Sequence, residues 1–204
     1  MPGWRTPLNA DPLGVIISHA RQPVVSDSTK LSSSTTVARY KKLEAADDRE
    51  ALGQFLVERF DERYFRPIED SSSKHGFAVL TVACLVIETL ESFYQGRPDT
   101  RNVSTQMFRD FFAHDTPLKV LAGGNDWFYK DIRCGILHQS ESRGGWRVLR
   151  SGPVLDSQAK TVNATAILRA LKEAVLQYAQ QIRTDEKLWQ NFRKKMNAVC
   201  ANCY

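Results

Sequence analysis

Apolar positions recur at helical spacing through most of the chain. Leu52, Phe55, Leu56 and Phe60 fall on one face. They predict a helix capped by Asp47 or Asp48 and running to about Arg63, with Pro67 ending the region. The strongest pattern covers residues 75–95. Between 76 and 87 it holds no charge and a single hydroxyl, so this helix is enclosed on most sides and is the central rod of a bundle. The serines at 71–73 offer its cap, and Gly96 followed by Pro98 stops it. Phe108, Phe111 and Phe112 mark a helix over 103–114, with His114 set against the dipole at its C-terminal end. A further helix is expected over 127–139, after a loop at 121–126 that hinges on Gly123 and Gly124 and offers Asn125 or Asp126 as cap. Asn163 caps a long helix to about Arg183, whose stripe is Ile167, Leu168, Leu171, Val175, Tyr178 and Ile182. The last helix, over 185–199, turns Trp189, Phe192 and Met196 inward and leaves Arg193, Lys194 and Lys195 on a solvated face.

The period changes once. From 144 to 156, Trp146 to Arg150 and Pro153 to Leu155 flank Ser151-Gly152, which reads as a β-hairpin with a two-residue turn. The expected fold class is therefore mainly α, an up-down helical bundle with a small hairpin after the 127–139 helix. The expected domain spans 38–199 with the hairpin at about 145–156. An arm and linker occupy 1–37, and a short tail 200–204. Pro2, Pro7, Pro12 and Pro23 break the arm, 13–17 could form a short strand, and the Ser/Thr-rich run 26–36 reads as a flexible linker.

Composition narrows the classes. A chain of 204 residues with 42% hydrophobic content can bury a sizeable core. A net charge of +5 suits a nucleic-acid partner without requiring one. No run reaches 18 consecutive apolar residues and residues 14–18 are too short for a signal-peptide core, so a cytoplasmic protein with no membrane partner is expected. Cys84 and Cys134 sit in apolar helical stretches, as reduced thiols do. Cys200 and Cys203 form a lone CxxC, two ligands short of a zinc site, and the expected cofactor is none. Glycine-rich phosphate loops and serine elbows are missing from the sequence, which argues against nucleotide hydrolysis by those routes.

The densest chemistry lies in 127–146, WFYKDIRCGILHQSESRGGW. Phe128, Ile132 and Ile136 make one apolar stripe, with Arg133 on one flank and His138 on the other. Trp127, Cys134 and Leu137 form a second apolar side, so the helix is buried on two sides, by another helix or by another copy of the chain. Gly135 in mid-helix calls for a reason, such as close approach of another backbone or a ligand. Glu88 interrupts the apolar rod. It either orients Arg133 or His138, or marks where the rod surfaces with Glu91 on a wet flank.

Arg133 and His138, five apart on one helix, resemble the R-x4–6-H motif of the HEPN superfamily, small helical bundles that include many metal-independent endoribonucleases. Family members often carry a polar residue directly after the arginine; here it is Cys134. The resemblance implies RNA cleavage in a cleft between two protomers, a role as toxin or defence effector, and control by an antitoxin or other regulatory protein. The alternative is a non-catalytic module of the same kind that binds RNA, a nucleotide or a protein. The chemistry suits these groups. RNA carries its own 2′-hydroxyl nucleophile, an imidazole can move the protons near neutral pH, and a guanidinium can grip two phosphate oxygens. Five residues of straight helix rise about 7.5 Å and turn about 140°, so one copy does not easily bring both groups to one phosphate. Gln139 and Glu141 could support the imidazole or touch substrate. Arg143, Arg147 and Arg150 could guide phosphates or simply protect an edge. Tyr129 and Trp146 could stack a base or pack the core.

Overall fold

The computed structural model describes residues 27–73 and 75–203. The arm before residue 27, with its four prolines and the strand expected at 13–17, lies outside the described residues.

The described chain is mainly helical with a small three-stranded sheet. Helix α1 (Val37–Ala45) was not expected. Thr36 caps it, its side chain accepting from the Arg39 N–H. Helix α2 (Arg49–Phe60) is capped by Asp48 as predicted. The chain does not stop at Pro67. It widens into a π turn (Asp61–Phe65) and continues as α3 (Arg66–Glu69), with Pro67 in the first turn. A proline ring clashes with the carbonyl four residues back, and widening the turn before it relieves that clash.

The rod, α4 (Gly76–Gln95), follows. It starts from His75 with no side-chain cap, so the serines at 71–73 do not cap it, and Gly96 ends it in the left-handed conformation at φ 65°. Among the described residues α4 alone is long and apolar enough to cross a membrane. In this fold it is the core, packed by α5 (Ser104–Ala113), α7 (Ala164–Gln181) and α8 (Glu186–Ala201). The ring of Phe93 lies 6.1 Å from Phe60, 6.3 Å from Tyr178 and 5.8 Å from Phe192, joining four helices at one point. Each such buried aromatic contributes about 1.5–3 kcal/mol relative to an exposed one. The inward stripes of α7 and α8 are those the sequence predicts, Ile167 to Ile182 and Trp189, Phe192 and Met196. The last helix runs beyond 199: Cys200 is buried within it, and Cys203 packs against the core.

Two loops depart from expectation. The serine-rich run is no spacer in its described part. Leu31 is fully buried, and Ser32 and Ser33 donate to the Glu58 carboxylate at 3.0 and 2.8 Å, with Ser34 joining them. The hairpin is also absent as drawn. Strand β1 (Arg147–Leu149) and strand β2 (Leu155–Asp156) do not pair with each other. Both flank β3 (Thr161–Asn163), β1 in parallel with Val148 opposite Val162, and β2 antiparallel with Leu155 opposite Val162. The reason is burial: Thr161, Val162 and Asn163 are all buried, so the third strand takes the centre and the Ser151-Gly152 stretch becomes a wider connection. Asn163 still caps α7, and its amide donates to the Gly152 carbonyl at 2.6 Å.

Candidate functional site

The motif segment is two windings joined end to end. Residues Phe128–Arg133 form a π turn, and α6 (Cys134–Gln139) continues from it. Phe128, Ile132 and Ile136 are buried, as their spacing predicts. Ser140, left-handed at φ 58°, ends the helix, and the chain folds back over it. There the Arg143 N–H donates to the Asp131 carbonyl at 2.8 Å. This return explains Gly135. A Cβ at that position would collide with the Glu141 carbonyl and lie 3.1 Å from Arg143 Cγ. The close backbone belongs to the chain itself.

The return also closes most of the second apolar side. Trp146 stacks on Trp127 with centroids 4.0 Å apart, and Cys134 is half-buried. Leu137 is left 37% exposed. The face expected to need another helix or another copy is thus largely covered by its own loop, and Leu137 remains outward.

Arg133 and His138 come together within one chain. Arg133 Nη1 lies 3.5 Å from His138 Nε2, on an exposed edge. The long arginine side chain spans the rotation that made this look difficult. A guanidinium N–H only donates, so Nε2 is the acceptor in this pair. Two contacts hold the guanidinium, and its third nitrogen has none. Glu88 Oε2 lies 3.5 Å from Nη2, the Tyr129 ring lies 5.2 Å beneath the guanidinium carbon, and Nε is buried with no partner. Glu88 is itself anchored, its Oε1 accepting from Thr100 Oγ1 and Ser104 Oγ, each at 2.6 Å. Of the two readings of Glu88, the geometry is that of a carboxylate seated on Arg133. Beneath them the Cys84 thiol is pushed up to about 12 by burial, which keeps it protonated and inert.

Glu91 is not on a wet flank. It is 2% exposed, accepts from Gln95 Nε2 at 2.8 Å and meets His114 Nε2 at 2.8 Å. His114 stacks on Tyr94, with centroids 4.0 Å apart. That histidine belongs to the packing of α4 on α5, away from the motif.

The other sequence candidates spread out. Gln139 and Glu141 are exposed at the end of α6, and Arg143 is exposed on the returning loop. Arg147 turns to the Ala159 carbonyl at 3.3 Å, and Arg150 lies across the start of α4 near Gly76. Tyr129 gives its face to Arg133 and packs T-shaped with Phe108, centroids 5.4 Å apart, so its ring is engaged within the chain.

A groove of about 410 Å³ opens beside the arginine, lined by Leu85, Glu88, Thr89, Thr100, Arg133 and Lys195. Lys195 departs from expectation. Of the three basic residues assigned to a solvated face, Arg193 pairs with Glu44 at 3.0 Å and Lys194 is exposed, whereas Lys195 reaches into this groove. Thr100 and Ser104, four apart around the start of α5, were missed too. Their spacing puts two hydroxyls on one side, the only trace the sequence carries of a carboxylate to be held. Among the described residues no three or more histidines, cysteines or carboxylates gather as metal ligands. No family model matches the chain, and neither does any curated protein or solved structure.

Proposed function

We propose that the chain is a metal-independent endoribonuclease of the HEPN kind, an up-down bundle acting on RNA in the cytoplasm as a toxin or defence effector. The observation that carries this reading is the exposed contact between the Arg133 guanidinium and His138 Nε2 at 3.5 Å. In the reaction, Arg133 turns its N–H from His138 onto the phosphate, and the Nε2 lone pair so released takes the proton of a 2′-hydroxyl. The freed oxygen attacks phosphorus, the bond to the 5′-oxygen breaks, and that oxygen receives a proton. Arg133, steadied by Glu88 and Tyr129, spreads its charge over the phosphorane oxygens. One imidazole serves one proton transfer at a time, so a second copy of the chain supplies the other. Leu137, next to His138 and 37% exposed, is the apolar side chain left for such a copy to cover.

The test is incubation with RNA in EDTA. Cleavage that leaves 2′,3′-cyclic phosphate ends, and that is lost in His138→Ala and in Arg133→Ala, supports the enzyme. Intact RNA in the presence of folded wild-type protein refutes it. The second reading is a non-catalytic module of the same kind, favoured by Cys134, which places a thiol where a hydrogen-bonding side chain would assist a phosphate. Binding of RNA without cleavage is its signature.

A further inference from the structure

Lys195 stands apart from the basic residues around it. Among the described residues it makes no ion pair within 4.0 Å, whereas Arg101 pairs with Asp99 at 3.1 Å and Arg193 with Glu44 at 3.0 Å. Its ammonium donates one bond, to the Pro98 carbonyl at 3.1 Å, and an ammonium has three to give. It is half-buried, and burial holds its pKa below the ordinary lysine value, so the charge stands in a partly dry wall. The same groove is lined by Arg133. Two cations from distant parts of the chain, one on the motif segment and one on the last helix, thus line one cleft; of its two carboxylates, Glu88 sits on Arg133 and Asp99 pairs with Arg101, which leaves the Lys195 ammonium with donors unspent. Thr89 and Thr100, which line the cleft with them, are short polar side chains. An extended polyanion fits a channel of this kind, because each phosphate replaces water on an under-partnered cation.

We propose that this groove is a phosphate subsite in which Lys195 holds a backbone phosphate next to the one gripped by Arg133. The inference rests on the RNA reading and names the path by which the strand enters that site. It makes Lys195 a binding residue for a single-stranded RNA backbone without sequence preference, with no part in proton transfer.

The experiment uses the full chain carrying His138→Ala, so that RNA stays intact, and an oligouridylate of about a dozen nucleotides as probe. Affinity is measured across a salt series for this parent and with Lys195→Gln, Lys195→Arg or Lys194→Gln added. Gln at 195 removes the charge and keeps an N–H donor, on a side chain one bond shorter. The expected result is about a tenfold weaker affinity for Lys195→Gln, and a log–log salt slope shallower by about one. Lys195→Arg restores both, and Lys194→Gln matches the parent. Thermal melts establish that each variant is folded. A Lys195→Gln slope and affinity equal to those of Lys194→Gln overturn the proposal, even if the His138 enzyme cleaves RNA. The expected slope change in a protein that never cleaves sustains the subsite and removes the nuclease. A folded parent that binds no oligouridylate overturns the subsite outright.

Discussion

An alanine at position 135 tests the reading of the motif segment most directly, because two known effects oppose each other there. In an open helix, replacing glycine by alanine stabilises by about 1 kcal/mol. Here the new Cβ meets the Glu141 carbonyl inside any real contact distance, with Arg143 Cγ at 3.1 Å and Arg143 N at 3.3 Å. The obstacle is backbone, and it is tied down by the Ser140 N–H on the Ile136 carbonyl at 3.1 Å and the Arg143 N–H on the Asp131 carbonyl at 2.8 Å. Clearing it costs about 1–3 kcal/mol of overpacking and about 1 kcal/mol for the hydrogen bond that shifts. Against the propensity gain, the net loss is about 1–3 kcal/mol, or roughly 3–10 °C in melting temperature for a domain of this size. Thermal and urea unfolding of Gly135→Ala read it, with Gly124→Ala as reference. At Gly124 an added Cβ meets nothing within 4 Å. That variant should stay within about 0.5 kcal/mol of wild type. A Gly135→Ala protein as stable as wild type or more so would refute the close return of the chain over the motif helix.

Glu88→Gln keeps an acceptor for Thr100 or Ser104 but removes the charge from Arg133. RNA cleavage should fall about tenfold or more through loss of positioning, and an undiminished rate would show that Arg133 needs no anchor. Arg109, hydrogen-bonded to Asp126 just before the motif segment, holds that carboxyl below its ordinary range. The stability this pair confers is therefore whole above about pH 4 and is lost as pH falls through the lowered value. Asp126→Asn, followed by urea midpoints across acid pH, should show a shallower acid loss than wild type, and identical slopes would refute the linkage.

Periodicity made the bundle legible, because α2, α4, α5, α7 and α8 each bury a stripe long enough to repeat. The winding between stripes was not. A π turn differs from an α turn by one residue, and Phe128, Ile132 and Ile136 are buried under either. The sheet was misread because its central strand is three residues long and runs straight into a helix cap. Arg133 and His138 were readable as a pair from their types. Their reach for each other depended on side-chain length, and Lys195 entered the same cleft only through the packing of α8 on α4. Contacts between residues far apart in sequence leave no local pattern to read.

The serine loop ahead of α1 belongs to the folded domain. Leu31 is a plug at zero exposure, and its carbonyl receives Arg63 Nη2 at 3.2 Å together with Arg59. Burial already lowers the Arg59 guanidinium to about 10. A fragment trimmed to the first helical turn would leave that cation without its oxygen, Glu58 without its hydroxyls and a hole where the plug sat. The folding unit therefore starts no later than Leu31, six residues before its first helix.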